Sequence, residues 1–217
     1  MAAEAELDLG TYGYAGQYRQ KPVPPGGGMF KTDMLNYANP SAAKFTRIVR
    51  YWDKAGTRGG GCFTVGFKMG VEMRQSMHGK RPHFWILDIV RGQWEAYSRE
   101  QKIRATAEMD GRECTQWVEQ APGEAGKESA QATIANLAGY KCKPDKVTGD
   151  KEDRADPFAT QMNGGNVTIS TNISPAVVRA FIEEARFFPH STYKDQIDAG
   201  SGACAKCWSR RTKAGRL

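Results

Sequence analysis

Four carboxylates stand where a folded chain could bring acidic side chains together. Asp53 ends a β-rich run, and Glu119 ends a short apolar run of strand length. Asp195 and Asp198 lie one turn apart near the start of the last predicted helix, so they share a helix face. If the two strands are parallel neighbours, their carboxyl ends meet at the edge of the sheet where ligands collect in open α/β proteins.

Clustered carboxylates repel one another unless cations lie between them. Their oxygen atoms suit Mg²⁺ or Mn²⁺, and two such ions ~3.5–4 Å apart could activate water and stabilise the leaving oxygen in phosphodiester cleavage. A carboxylate at a strand end is also often an ordinary turn or helix-cap residue. The spacing alone leaves both interpretations open.

Charge and composition narrow the class of protein. The 217 residues include 31 Lys and Arg against 24 Asp and Glu, a formal net charge of +7 that favours a polyanionic partner. Charged residues at 25% and hydrophobic residues at 40% exclude a wholly disordered or collagen-like chain. Apolar runs such as 84–87 are too short to span a membrane, and the acidic opening 1–6 does not resemble a signal peptide. We therefore expect nucleic acid rather than a membrane as the partner.

The cysteines and histidines do not form a recognisable site. Five cysteines in a chain without a secretory signal predict reduced thiols. Cys204 and Cys207 have the spacing of a metal knuckle, but zinc needs four ligands and neither a second CxxC pair nor paired histidines occurs. No serine or cysteine has a histidine and a carboxylate in a recognisable catalytic order, so nucleophilic catalysis is not expected.

The hydrophobic period predicts three strands followed by alternating strands and helices. This order favours a mixed sheet with helices on both faces, the first three strands forming an antiparallel meander. Strands are predicted at 45–53, 62–69, 83–90, 115–119, 140–143 and 167–169, and helices at about 93–110, 124–138, 150–162, 175–187 and 194–207.

Five stretches resemble, in order, the nuclease domain of tailed-bacteriophage terminase large subunits. Those stretches are Arg50-Tyr51-Trp52-Asp53, 87–94, 117–123, 148–151 and 195–199. The segment 17–31 is similar to the one that joins the packaging ATPase of this family to its nuclease. The resemblance runs over most of the chain.

The resemblance implies an α/β, ribonuclease H-like fold with a mixed five-stranded central sheet flanked by helices. It divides the chain into an arm at 1–42 that would follow an ATPase domain, a nuclease domain at 43–207 and a basic tail at 208–217. No GxxxxGK[ST] loop occurs, so ATP hydrolysis is not expected. We expect an isolated nuclease domain rather than a separately encoded remnant.

The resemblance also implies a function, which is metal-dependent cleavage of concatemeric double-stranded DNA, with little sequence specificity, during viral genome packaging. Two Mg²⁺ or Mn²⁺ ions would be the cofactors. The implied partners are DNA, the packaging ATPase domain, the small terminase subunit and the portal, with no membrane, in the host-cell cytoplasm.

The family's site residues carry over by motif. Asp53 would be the first catalytic metal ligand, Glu119 the second and Asp195 the third, with Asp198 as a fourth candidate. Many relatives have His-Asp-Asp where this chain has 193–195, so one carboxylate is replaced by Lys194, which we expect to meet a phosphate.

Three further cations flank the acidic motifs. Lys127, Lys151 and Arg154 could hold DNA phosphates or stabilise charge on the scissile group, or they could belong to solvated helix faces.

Two other functions fit the same residues. One is a DNA-holding module of the packaging motor that is inactive without its ATPase or portal partner. The other is a different ribonuclease H-like enzyme, such as a junction resolvase or a transposase core.

Overall fold

The computed structural model describes residues 28–55, 61–77 and 79–208. The predicted arm before residue 28 and the predicted basic tail after Trp208 lie outside these residues. Within the described part, the end of the predicted arm packs on the rest of the chain: Phe30 and Leu35 are buried in the core, and residues 36–38 form a strand.

The described residues form seven strands and five α-helices, with short 3₁₀ turns at Thr32–Met34 and Pro40–Ala42. The strands are β1 (Asn36–Ala38), β2 (Arg47–Asp53), β3 (Thr64–Ser76), β4 (Gly79–Gly92), β5 (Cys114–Gln120), β6 (Cys142–Lys146) and β7 (Val167–Ser170). The helices are α1 (Ala96–Asp110), α2 (Glu124–Asn136), α3 (Lys151–Asn163), α4 (Pro175–Phe187) and α5 (Asp195–Trp208). None of these described helices is long and apolar enough to cross a membrane.

All seven strands belong to one mixed sheet in the order β1-β7-β4-β3-β2-β5-β6. β2, β3 and β4 form the predicted antiparallel meander. β5 then pairs in parallel with β2, and β6 with β5, while β7 lies in parallel between β4 and β1. The α/β class and the mixed sheet are confirmed.

The five-stranded sheet implied by the resemblance is wrong, because the sheet has seven strands; the hydrophobic period predicts six of them, all except β1. β1 is only three residues long and has no alternating pattern, so its pairing with β7 is a tertiary effect. β6 contains Pro144, which lacks a backbone N–H and is tolerated because β6 is an edge strand. β6 is nonetheless predicted from the sequence, at 140–143, whereas β1 at the opposite edge is not.

Hydrophobic side chains cover both faces of the sheet. On one face, α3, α4 and α5 contribute to a large core that contains Phe67, Phe158 and Phe181. On the other, α1 and α2 cover a smaller core around Trp52 and Leu137. Alternation along β2 sends Tyr51 to the first face and Trp52 to the second.

A buried ion cluster ties α1 to the sheet. Arg50 is 1% exposed and donates to Asp110 Oδ2 at 2.5 Å, to Asp88 Oδ2 at 2.7 Å and to the Gly66 carbonyl at 2.8 Å. Lys68 lies 2.9 Å from the other Asp110 oxygen. Burial alone would raise the pKa of Asp110, but the hydrogen bond and charge of Arg50 lower it overall. Every charge in this cluster therefore has a partner.

Helix α5 approaches β2 closely at a glycine. A methyl group added at Gly202 would lie 2.5 Å from the Tyr51 ring. The absence of a side chain there allows the helix to lie directly on the ring.

Gly202→Ala should therefore destabilise the fold by about 1–3 kcal/mol, the usual cost of overpacking. Urea unfolding would measure the loss. Ala205→Ser, at an exposed position of the same helix, is the control. Equal stability of the two variants would contradict the close packing.

His83 joins β4 to β7, with its Nε2 atom 2.8 Å from Thr168 Oγ1. Burial lowers the pKa of His83 to about 4, and the positive charge of Arg74 acts in the same direction against that of Glu72. The folded state thus keeps this imidazole neutral where an unfolded chain would protonate it.

The unfolded chain takes up this proton near pH 6.5, so stability should fall as the pH drops from about 6.5 towards 4. His83→Gln keeps a hydrogen-bonding side chain and removes the titration. Urea unfolding at pH 7 and pH 5 should show the wild type losing about 2 kcal/mol more than the variant. An identical loss in both proteins would show that His83 does not titrate in this way.

Candidate active site

The parallel pairing of β2 with β5 brings two of the predicted carboxylates together. Trp52 is the register partner of Val118, so Asp53 and Glu119 occupy the next position on neighbouring strands. Neighbouring strands are about 4.8 Å apart. The two side chains therefore project from the same edge of the sheet, as the sequence predicts.

Helix α5 supplies the other two carboxylates from its first turn. Asp195 and Asp198 are both buried, at 8% and 4% exposure. The Phe63 backbone N–H donates to Asp195 Oδ2 at 2.9 Å, and Phe63 immediately precedes β3, whose Val65 pairs with Asp53. The helix start is thus fixed to the strand end that carries Asp53.

The pKa shifts show that the four carboxylates act on one another. Burial raises the pKa of Asp53 well above its usual value, and the negative charges of Glu119, Asp198 and Asp195 raise it further. Burial and the charge of Asp198 also raise the pKa of Glu119. Burial raises the pKa of Asp195, with a smaller contribution from Asp198. The structure brings all four predicted residues into one acidic cluster, the arrangement that marks many functional sites.

Two of the predicted cations, both on α3, belong to this cluster. The Lys151 ammonium forms an ion pair with Asp198 Oδ2, and Arg154 Nη2 lies 3.6 Å from Asp198 Oδ1. Burial alone would lower the pKa of Lys151, but the hydrogen bond and charge of Asp198 raise it overall. Lys151 therefore stays protonated beside the carboxylates.

The other two predicted phosphate ligands have different surroundings. Lys127 is half-exposed, and its Nζ lies 3.7 Å from Glu124 Oε2 on its own helix. Lys194 precedes α5, and its carbonyl accepts the N–H of Asp198 at 2.9 Å. The structure joins neither ammonium group to the acidic cluster through a hydrogen bond or ion pair of the described residues.

A fifth carboxylate, Asp145, lies beside these residues and is not among those predicted from the sequence. It pairs in register with Glu119 across β5 and β6, so three adjacent parallel strands present an acidic residue at the same level. Asp145 accepts a hydrogen bond from the Tyr51 hydroxyl at 2.9 Å and forms an ion pair with Lys206. Asp145 lies two residues beyond the end of the strand predicted at 140–143. A carboxylate near a strand end is the same signal that identifies Asp53 and Glu119.

Arg91 was also missed. Its guanidinium packs over the Phe63 ring, 3.6 Å from the ring centre, and lies 5.2 Å from that of Tyr193. Its positive charge opposes the burial that raises the pKa of Asp195. A cavity of about 250 Å³ adjoins these three side chains. The arginine thus supports the segment next to Asp195.

A buried glutamate holds the first turn of α5. Glu184 of α4 accepts the backbone N–H groups of Gln196 and Ile197 at 2.7 and 3.0 Å, and the Gln196 side chain at 2.9 Å. Burial raises the pKa of Glu184, although these hydrogen bonds oppose the shift. The carboxylate satisfies helix-end N–H groups as a cap would. Because it comes from another helix, no local capping pattern could have revealed it.

The donor set suits a hard divalent cation. Asp198 Oδ1 is buried without a hydrogen-bond partner, and the mutual repulsion of the carboxylates is of the kind that a bound cation relieves. Among residues 28–55, 61–77 and 79–208, however, no three or more His, Cys, Asp and Glu side chains are placed so that together they could hold a metal ion. Lys151 pairs with Asp198 instead.

The cysteine pair is separate from this site. Cys204 and Cys207 are free and buried in the large core. Burial raises the pKa of Cys204 to about 12, which keeps the thiol protonated.

Glu184→Ala should leave the Gln196 and Ile197 N–H groups without an acceptor and destabilise the protein by about 1–3 kcal/mol. Denaturant unfolding would measure this loss. Arg179→Ala, at an exposed position of the same helix, should cost much less. A Glu184→Ala protein as stable as the control would show that this capping contact is dispensable.

Comparison of the fold with solved structures finds terminase nucleases. The chain is similar to the P22 large terminase nuclease domain, with a TM-score of 0.58 and 10% identity over 82% of this chain and 91% of that one. It is also similar to the human cytomegalovirus terminase nuclease domain, soaked with Mn and with an inhibitor bound (TM-score 0.55, 16% identity, 81% and 91% coverage). The chain is similar as well to the large terminase nuclease of the thermophilic phage G20c with bound magnesium, with a TM-score of 0.53 and 13% identity over 84% of this chain and 99% of that one.

The sequence itself gives no such match. No model of a protein family matches it, and no curated protein is similar enough to match. The likeness is therefore one of fold, and it covers more than four-fifths of the chain. The resemblance indicated by the sequence motifs is confirmed at this level: the chain has the ribonuclease H-like fold of terminase large-subunit nuclease domains.

Proposed function

We propose that this chain is a metal-dependent endonuclease of double-stranded DNA, acting as the nuclease domain of a viral packaging terminase. The observation that carries the proposal is the acidic cluster, in which carboxylates from β2, β5 and α5 meet at the carboxyl ends of parallel strands. The fold it shares with terminase nucleases supports the same conclusion.

In this proposal Asp53, Glu119, Asp195 and Asp198 hold Mg²⁺ or Mn²⁺, with two ions at the site. Such ions, when bound, help to activate water and stabilise the leaving oxygen of a phosphodiester. Solved neighbours with bound magnesium or soaked with Mn are consistent with this choice of ion.

The chain's own cations then act on the substrate. Lys151 keeps its proton, and Arg154 lies beside the same aspartate, so both present positive charge where a DNA phosphate would approach. Lys127 and Lys194 contact phosphates farther from the reacting group. These contacts are to the DNA backbone, which gives little sequence specificity.

The wider assignment follows the same family. Residues 43–207 form the nuclease domain between an arm, whose end packs on that domain, and a basic tail. The chain works with a packaging ATPase domain, a small subunit and a portal in the host cytoplasm. A large terminase from a thermophilic bacteriophage, in complex with ADP, supports the link to an ATPase: the similarity covers 82% of this chain and 43% of that one.

One observation favours a second function. Because Lys151 already neutralises Asp198, the chain could bind DNA without cutting it until an ATPase or portal partner repositions that lysine. This second candidate is a DNA-holding module of the packaging motor.

Incubation with supercoiled plasmid tests the choice. The wild type should nick and linearise the plasmid in Mn²⁺ or Mg²⁺ but not in EDTA. Asp53→Asn should lower the rate by about 100-fold or more, since it removes one charge from the cluster. Asp156→Asn, at an exposed position of α3, should cut like the wild type.

The other outcomes separate the alternatives. Undiminished cleavage by Asp53→Asn would overturn the proposed site. DNA binding without cleavage would favour the holding module, and cleavage confined to branched DNA would favour a junction resolvase.

A further inference from the structure

A groove of about 900 Å³ lies beside α5 on the face of the sheet that carries the acidic cluster. We call it the basic groove. Four cations and two tryptophans line it, together with Glu113 and several apolar side chains; the cations and tryptophans are Arg47, Lys141, Lys143, Lys206, Trp117 and Trp208. Such a surface favours a polyanion.

The basic groove lies along the same two strands as the acidic cluster. Trp117 and Glu119 alternate along β5 on one face, and Lys143 and Asp145 do the same on β6, their register partner. Two residues of a strand span about 6.6 Å. A ligand held at the acidic cluster that extends along these two strands therefore runs towards the groove, past the ion pair of Lys206 with Asp145.

The cations are arranged around an aromatic floor. Lys143 Nζ lies 5.6 Å and Lys206 Nζ 4.8 Å from the centre of the Trp117 ring. Arg47 donates to the carbonyls of Lys206 and Cys207 at 2.8 and 3.2 Å, at the end of α5. Lys141 and Lys143 are exposed, so they can reach outward to a ligand.

We propose that the basic groove binds the phosphate backbone of duplex DNA on one side of the cut. This inference rests on the proposed function, because it takes duplex DNA as the substrate. Lysines contact phosphates without reading bases, so the groove adds affinity and orientation rather than sequence preference.

Charge argues against one alternative occupant. The chain continues from Trp208, at the groove, into nine residues that carry Arg210, Arg211, Lys213 and Arg216. Like charge disfavours that segment as the occupant and favours DNA. The segment 1–27, with Glu4, Glu6 and Asp8 against Arg19 and Lys21, is the competitor that the experiment must separate from DNA.

The test measures the affinity for a short linear duplex in EDTA at several salt concentrations, so that binding is read without cleavage. Lys141→Gln and Lys143→Gln should each lower the slope of log affinity against log salt by about 1, and the double variant by about 2. Lys102→Gln, exposed on α1 at the opposite face of the sheet, is the matched control and should keep the wild-type slope.

A second readout keeps the site and the groove apart. The small substrate bis(p-nitrophenyl) phosphate needs the acidic cluster for its hydrolysis in Mn²⁺ but is too small to reach the groove. The two lysine variants should therefore hydrolyse it at the wild-type rate. A wild-type protein without this activity would count against the proposed nuclease. Variants that keep this activity and also keep the wild-type salt slope would overturn only the proposal that the groove binds DNA.

Thermal unfolding identifies the competing occupant. Three results together would show that the chain's own N-terminal segment covers the groove. Lys141→Gln and Lys143→Gln would lower the melting temperature of the full chain, they would not lower that of a chain lacking residues 1–27, and their salt slopes would equal that of the wild type. These results would also overturn DNA as its ligand.

Discussion

The confinement of four carboxylates to one corner of the sheet is the constraint on which the rest of the site depends. Burial and the repulsion of neighbouring carboxylates raise the pKa values of Asp53, Glu119 and Asp195, and so disfavour the charged forms of these three groups. The fold offsets part of this cost with Lys151 and Arg154. The remaining repulsion among the carboxylates is of the kind that a bound divalent cation relieves.

The surrounding architecture serves to hold that corner together. Parallel pairing of β2 with β5 sets Asp53 beside Glu119. Glu184 anchors the helix start that carries Asp195 and Asp198, and does so from a different helix. A buried acid thus supports the acidic cluster without being part of it, and its N–H partners explain why this burial is tolerated.

Much of this arrangement could be predicted from the sequence, because strand-end carboxylates and strong hydrophobic periods are local signals. The strands that carry Asp53 and Glu119 and the helix that carries Asp195 were predicted to within three residues of their observed starts. What could not be predicted depends on contacts distant in sequence. The short strand β1 forms only by pairing with β7, and the pairing of Lys151 with Asp198 joins residues 47 positions apart.

The close contact of Gly202 with Tyr51 helps to fix the orientation of helix α5 on the sheet. The Tyr51 ring touches α5, its hydroxyl binds Asp145, and Asp145 pairs with Lys206 of the same helix, which closes a ring of contacts between β2, β6 and α5. A helix of 14 residues is about 21 Å long and nearly rigid. Clamping its second half therefore sets the angle at which its first turn faces the strand ends. A tilt of this helix relative to the strand ends would therefore have to break the whole ring of contacts.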